Sequence, residues 1–265
     1  MRVRYLIPVL LVLVGCSDPV PRNLDTLIQE GQREVFSDPE TTTTYSGPVF
    51  RLSPDDSTKV VFRGNLKDGQ FHGSFTDYQP EEYSDRDSLG VYQEGEYRDG
   101  LREGPFTYFY PSGVKRGEGQ YSRGKEEGLY SSWYENGQLR SKYSYSNGIP
   151  DGPLEMYYEN GQLWSNGSYS NGVEDGPWES YHDNGQLRST GSYSNGEPDG
   201  PFEMYEEDGQ LEMRGSYSNG ELDGPYELYE EDGQSRYKGS YSNGDKCGVW
   251  IEFGVPVTYP PCPNG

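Results

Sequence analysis

From Gly104 onward the chain alternates between two kinds of side chain. Two positions past each of a series of glycines stand Phe106, Tyr130, Leu154, Trp178, Phe202 and Tyr226, and two further on Tyr108, Ser132, Met156, Ser180, Met204 and Leu228. Between and beyond them come Thr107, Ser131, Glu155, Glu179, Glu203 and Glu227, then Phe109, Trp133, Tyr157, Tyr181, Tyr205 and Tyr229. A period of two predicts strands with one mostly apolar face and one face carrying an acid-and-aromatic ladder. Leu139, Leu163, Leu187 and Leu211 on the return strands are expected to join the buried apolar side. No run has the period of an amphipathic helix.

The alternation itself recurs. A leading tyrosine returns at Tyr97, Tyr121, Tyr145, Tyr169, Tyr193, Tyr217 and Tyr241, every 24 residues, which marks a repeat architecture rather than a single site. Asn136-Gly137, Asn160-Gly161, Asn184-Gly185, Asp208-Gly209 and Asp232-Gly233 punctuate each unit, and a second set runs from Asn147-Gly148 to Asn243-Gly244. Such pairs between alternating segments predict hairpins with type I′ turns, whose two central residues both need positive φ. Asp-Gly-Pro, as at Asp175-Gly176-Pro177, adds a further turn per unit. The expectation is an all-β protein: an elongated single-sheet solenoid of successive antiparallel β-hairpins. About eight units of two strands at ~4.8 Å spacing make a rod of roughly 80 Å.

Composition taken without order says something else. Val, Leu, Ile and Phe number 46 of 265 residues and the net charge is −22, a combination found in disordered chains. The 25 tyrosines and 4 tryptophans, at fixed phase in the repeat, supply the missing apolar surface.

Arg2 and Arg4 precede an apolar run from Tyr5 to Val14, too short to span a bilayer and shaped like an export signal. Leu13-Val14-Gly15-Cys16 resembles a bacterial lipobox, which implies cleavage before Cys16, acylation of its thiol and a lipid anchor outside the cytoplasm. The alternative is an ordinary signal peptide with an incidental cysteine. Ser17 after the cysteine resembles an outer-membrane address. Export leaves Cys247 and Cys262 as an even pair in an oxidising compartment, where a disulfide persists and would clip the tail over the last repeat. A redox or metal pair is the alternative, but there is no CxxC spacing and only His72 and His182 to assist.

The unit Tyr-x-Asn-Gly-x-x-x-Gly-x-aromatic-x-x-Tyr-x-x-Asn-Gly-Gln-Leu resembles the MORN-repeat variant of bacterial proteins known as YwqK-type antitoxins. The resemblance covers about Tyr97 to Phe253, with degenerate copies in Gly47 to Tyr78. It implies a twisted sheet of hairpins and a role in protein or membrane association; for an exported toxin it implies an immunity role.

The chain then divides into a signal peptide (1–15), a lipidated Cys16 and tether (16–26), an N-terminal cap with degenerate repeats (27–96), regular repeats (97–253) and a C-terminal cap (254–265). Leu27 to Phe36 reads as a hairpin around Gly31, and Gln79 to Leu89 as a charged insertion, since Tyr97 follows Leu66 by 31 residues. No carboxylate is singled out from its repeated equivalents, and His182 shares its column with Tyr158, Glu206 and Glu230, which reads as a solvated face rather than a base. No enzyme, cofactor or metal centre is expected. A mature charge of −24 repels nucleic acid and anionic headgroups, leaving a protein of the envelope as the expected partner. The other candidate ligand is a glycan, stacked on the ladder Trp133, Tyr157, Tyr181, Tyr205 and Tyr229.

Overall fold

The computed structural model describes residues 20–30, 35–78 and 90–263. Residues 1–15, expected to be a signal peptide, Cys16, Gly31 and the expected insertion Gln79 to Leu89 lie outside the described residues. All but two of the described strands form one continuous sheet, antiparallel except at its start, where Arg22–Asn23 runs parallel to Gly47–Leu52. The fold is therefore the all-β, single-sheet repeat solenoid that the alternation predicts. Each unit is an eight-residue strand such as Leu163–Ser170, a two-residue turn, a short leg Val173–Glu174, a kink at Gly176 (φ 98°) and a six-residue leg Gly176–Tyr181. The upstream segments Gly47–Leu52, Val60–Lys67 and Gly73–Tyr78 follow the same plan.

The two sets of Asn-Gly pairs are not equivalent. In the second set both residues are left-handed, as at Asn171 (φ 50°) and Gly172 (φ 87°), which is the type I′ geometry expected. In the first set only the glycine takes positive φ, as Gly161 does at 86°, and the residue before it does not. There Gly161 N donates to Tyr158 O at 2.9 Å and Tyr158 N to Gln162 O at 2.9 Å, a type I turn closed by a glycine bulge. Asn160 instead holds the turn from its side chain, where Oδ1 accepts Gln162 N at 2.9 Å.

The bulge also moves the leucines. A register shift between Met156 and Tyr157 absorbs one residue, so Leu163 stands opposite Tyr157 and not in the Met156 column. Leu139, Leu187 and Leu211 likewise oppose Trp133, Tyr181 and Tyr205. One extra residue reverses the face of everything beyond it, which is why the expected buried leucines are half-buried neighbours of the ladder.

Among the described residues buried side chains gather at the two ends, with Phe106 and Leu154 also buried between them. At the N-terminus Leu24, Leu27, Phe36, Val49 and Leu66 form one buried cluster, roofed by the separate two-stranded sheet of Ile28–Glu30 and Val35–Ser37. At the C-terminus Val255–Thr258 pairs with Asp245–Glu252, and a Cys247–Cys262 disulfide (Cα–Cα 5.0 Å) folds the tail back over Trp250, which is fully buried.

Candidate functional site

Between these caps neighbouring units are stapled along both lateral edges. On the type I′ edge Gly196 N donates to Glu174 O of the preceding unit at 2.8 Å, and Asp175 Oδ1 accepts Asn195 N at 3.4 Å. The same pair of contacts recurs 24 residues on, from Gly220 N to Pro198 O and from Asn219 N to Asp199 Oδ1. On the opposite edge Tyr134 Oη donates to Tyr157 O at 2.7 Å and Tyr158 Oη to Tyr181 O at 2.8 Å. His182 Nε2 takes the next place, 2.8 Å from Tyr205 O. His182 is thus a half-buried staple and not a solvated face residue; a carbonyl can only accept, so Nε2 carries a proton. Asn136, Asn160 and Asn184 add Nδ2 bonds to the carbonyls of Glu159, Asp183 and Glu207.

The ladder residues lie in one row on one face. Tyr157 donates to Glu155 at 2.7 Å, Tyr181 to Glu179 at 2.7 Å, Tyr205 to Glu203 at 2.5 Å and Tyr229 to Glu227. Lys142 Nζ reaches Glu155 at 2.9 Å; Glu227 is held by Arg214 at 2.7 Å and Lys238 at 2.9 Å. The Tyr157 hydroxyl and then Lys142 hold the Glu155 carboxyl below its ordinary range, and the Tyr229 hydroxyl with Lys238 and Arg214 brings Glu227 to about 2, against the opposing effect of burial. In return the hydrogen bond to Glu179 raises Tyr181 and that to Glu203 raises Tyr205. Trp133 has no such acid; Lys115 Nζ sits 5.2 Å from its ring centre. Hydroxyls and carboxylates on this face satisfy one another.

The other face is built on glycines. Gly119 lies flat in a strand beneath Phe106 and Tyr130, whose rings stack at 6.2 Å and 16°; an added Cβ would meet them at 3.0 and 3.1 Å. Gly215 carries Phe202 and Tyr226 in the same way, and Gly167 carries Trp178. The leading tyrosines then pack at a tilt against these rings, Tyr121 on Phe106 at 4.5 Å and Tyr217 on Phe202 at 4.8 Å. Where this column reads Tyr143, the opposed aromatic position is Leu154, small for large. Sequence reasoning passed over these sockets. The signal was present as glycines 119, 167, 191, 215 and 239, which recur at multiples of the 24-residue period inside strands with no turn to explain them.

Beside the ring column runs a row of serines and methionines. Met156, Ser165, Ser180, Ser189, Met204 and Met213 oppose one another across successive strands. They floor a groove of about 590 Å³ with Trp178, Tyr193 and Phe202 along one wall and Trp164 and Arg188 along the other. Ser180 and Ser189 bond to each other at 2.5 Å, whereas Ser165, 2% exposed, has no hydrogen-bond partner. Among the described residues no group of His, Cys, Asp and Glu is placed to hold a metal ion.

A single sheet with a wet ladder on one side and an open aromatic groove on the other is a repeat protein of the binding and interaction class. The chain belongs to the MORN repeat variant family, which matches at residues 102–123, 126–147, 150–171, 174–195, 198–219 and 222–243. No curated protein matches the chain.

Proposed function

We propose that the chain is a non-catalytic scaffold lipoprotein of the bacterial envelope, anchored through lipid on Cys16, that binds another envelope protein across its sheet. The aromatic face carries this reading. Among the described residues nothing is layered over it, and Trp178, Phe202, Met204, Met213 and Tyr226 remain only half-buried where a two-layer fold covers such side chains. The apolar run before Cys16 and the Cys247–Cys262 disulfide support an address outside the cytoplasm. Glycan stacking on the ladder is the weaker reading, because the tyrosine hydroxyls there already serve the neighbouring glutamates.

The test is photo-cross-linking of the full-length chain in a bacterial envelope, with p-benzoylphenylalanine at position 164 on the groove rim or at position 181 on the ladder. One dominant protein adduct from position 164 is expected; no protein adduct there, or the same adducts from both faces, overturns the reading. Metabolic labelling with a radioactive fatty acid, abolished in Cys16→Ser, checks the anchor.

A further inference from the structure

We infer that the groove over Ser165, Ser180 and Ser189 receives an extended, cationic amphipathic segment of a partner protein, its apolar side chains on the floor and its lysines or arginines reaching the two edges of the sheet. This deepens the protein-binding reading above and rests on it.

Three observations converge. The first is shape: the floor crosses six strands from Met156 to Met213, about 24 Å at ~4.8 Å per strand, the length of roughly seven extended residues. Serines and Gly191 keep that floor low, while three methionines adapt to whatever side chain arrives. The second is an unmet bond. The Ser165 hydroxyl is buried in the floor, directly opposite Ser180, yet unpartnered, whereas the Ser180 hydroxyl is paired with Ser189. A buried hydroxyl without a partner costs free energy that a ligand's backbone amide or carbonyl recovers.

The third is charge, and it selects the occupant. Residues 143–235 hold twenty acidic side chains against two arginines, Arg188 and Arg214. Arg214 is on the ladder face, bound to Glu227, so Arg188 is the one cation of this stretch that lines the groove, where Glu174 also stands. Carboxylates lie along both edges: Glu174, Glu197 and Glu221 on the type I′ side, and Asp183, Glu206, Glu207 and Asp208 on the other. An uncharged floor of methionines and serines between two acidic rims complements a segment that alternates apolar and basic residues.

The probe is a fluorescein-labelled seven-residue peptide of alternating leucine and lysine, titrated by anisotropy with the full chain in 150 mM salt. Peptides of alternating leucine and glutamate and of alternating serine and lysine are the comparisons. Binding of the first at least tenfold tighter than of either comparison, and weakened at least tenfold by Ser165→Trp with net charge unchanged, is expected. Ser189→Trp provides the same block from another strand if Ser165→Trp lowers the melting temperature. Undiminished binding to both tryptophan variants means attraction to the acidic surface at large and overturns the inference, as does equal binding of the glutamate peptide. A protein adduct at position 164 whose cross-linked segment is not cationic and amphipathic sinks this inference while the protein-binding reading stands; no adduct at all sinks both.

Discussion

Trp250 lies across the backbone of Gly239: a Cβ on that glycine would fall 2.2 Å from the indole ring. The indole Nε1 donates to Ser240 O at 3.0 Å and Cys247 O at 3.1 Å, so the ring cannot slide away without losing a buried bond. Gly239→Ala is therefore expected to cost about 1–3 kcal/mol, the range for overpacking. At the equivalent Gly191 the nearest atom is Phe202 Cβ at 3.6 Å, and Gly191→Ala is expected to stay within about 0.5 kcal/mol of the parent. Urea denaturation of the two variants separates them; equal effects would show that the socket geometry is irrelevant.

The staple edge is incomplete after His182. Glu206 and Glu230 stand where Tyr134 and Tyr158 stand earlier, and Asp208 and Asp232 replace the asparagines, and carboxylates cannot donate to the next unit's carbonyls. Glu206→Tyr with Asp208→Asn is expected to restore both bonds and stabilise the C-terminal repeats by about 1–2 kcal/mol. Native-state hydrogen exchange at Tyr229 and Glu231 reports it, and unchanged protection would refute the staple argument.

The Cys247–Cys262 bond closes 15 residues of chain over Trp250. Replacing both cysteines by serine is expected to lower stability by about 3 kcal/mol in the chain-entropy account. Trp250 should then become accessible to acrylamide quenching before the regular repeats melt. Simultaneous loss of the whole sheet would mean that the cap and the repeats unfold as one unit.

Acid should weaken the ladder in a defined window. Glu227 titrates at about 2 in the folded chain against its usual 4.5, so its bonds to Tyr229, Lys238 and Arg214 stabilise the fold fully above about pH 4.5 and fade as the pH falls toward 2. Glu227→Gln is expected to be less stable at pH 7 and to lose less on acidification through that window. Parallel stability curves for the two proteins from pH 7 to pH 2 would argue against the assignment.

The 24-residue period, the turn-forming pairs, the alternation and the family were all legible along the chain, because each is set by residues close together in sequence. The presence of a ladder face was legible for the same reason, and Tyr157 and Tyr181 indeed share a row. What could not be read is whatever depends on the next unit over or on the phase of a bulge. Asn160-Gly161 and Asn171-Gly172 look alike as dipeptides, yet only the second is left-handed at both residues, since the hairpin it closes differs in length and register. Leu163 changed its expected neighbours because one bulge residue was spent before it. The staples join atoms 20 to 23 residues apart, and the glycine sockets place one strand's backbone beneath rings of its neighbours. The groove and its unpartnered Ser165 follow from both. The local code determined a sheet of hairpins; packing between hairpins alone decided which face stays open, because that is settled by side-chain volumes meeting across strands.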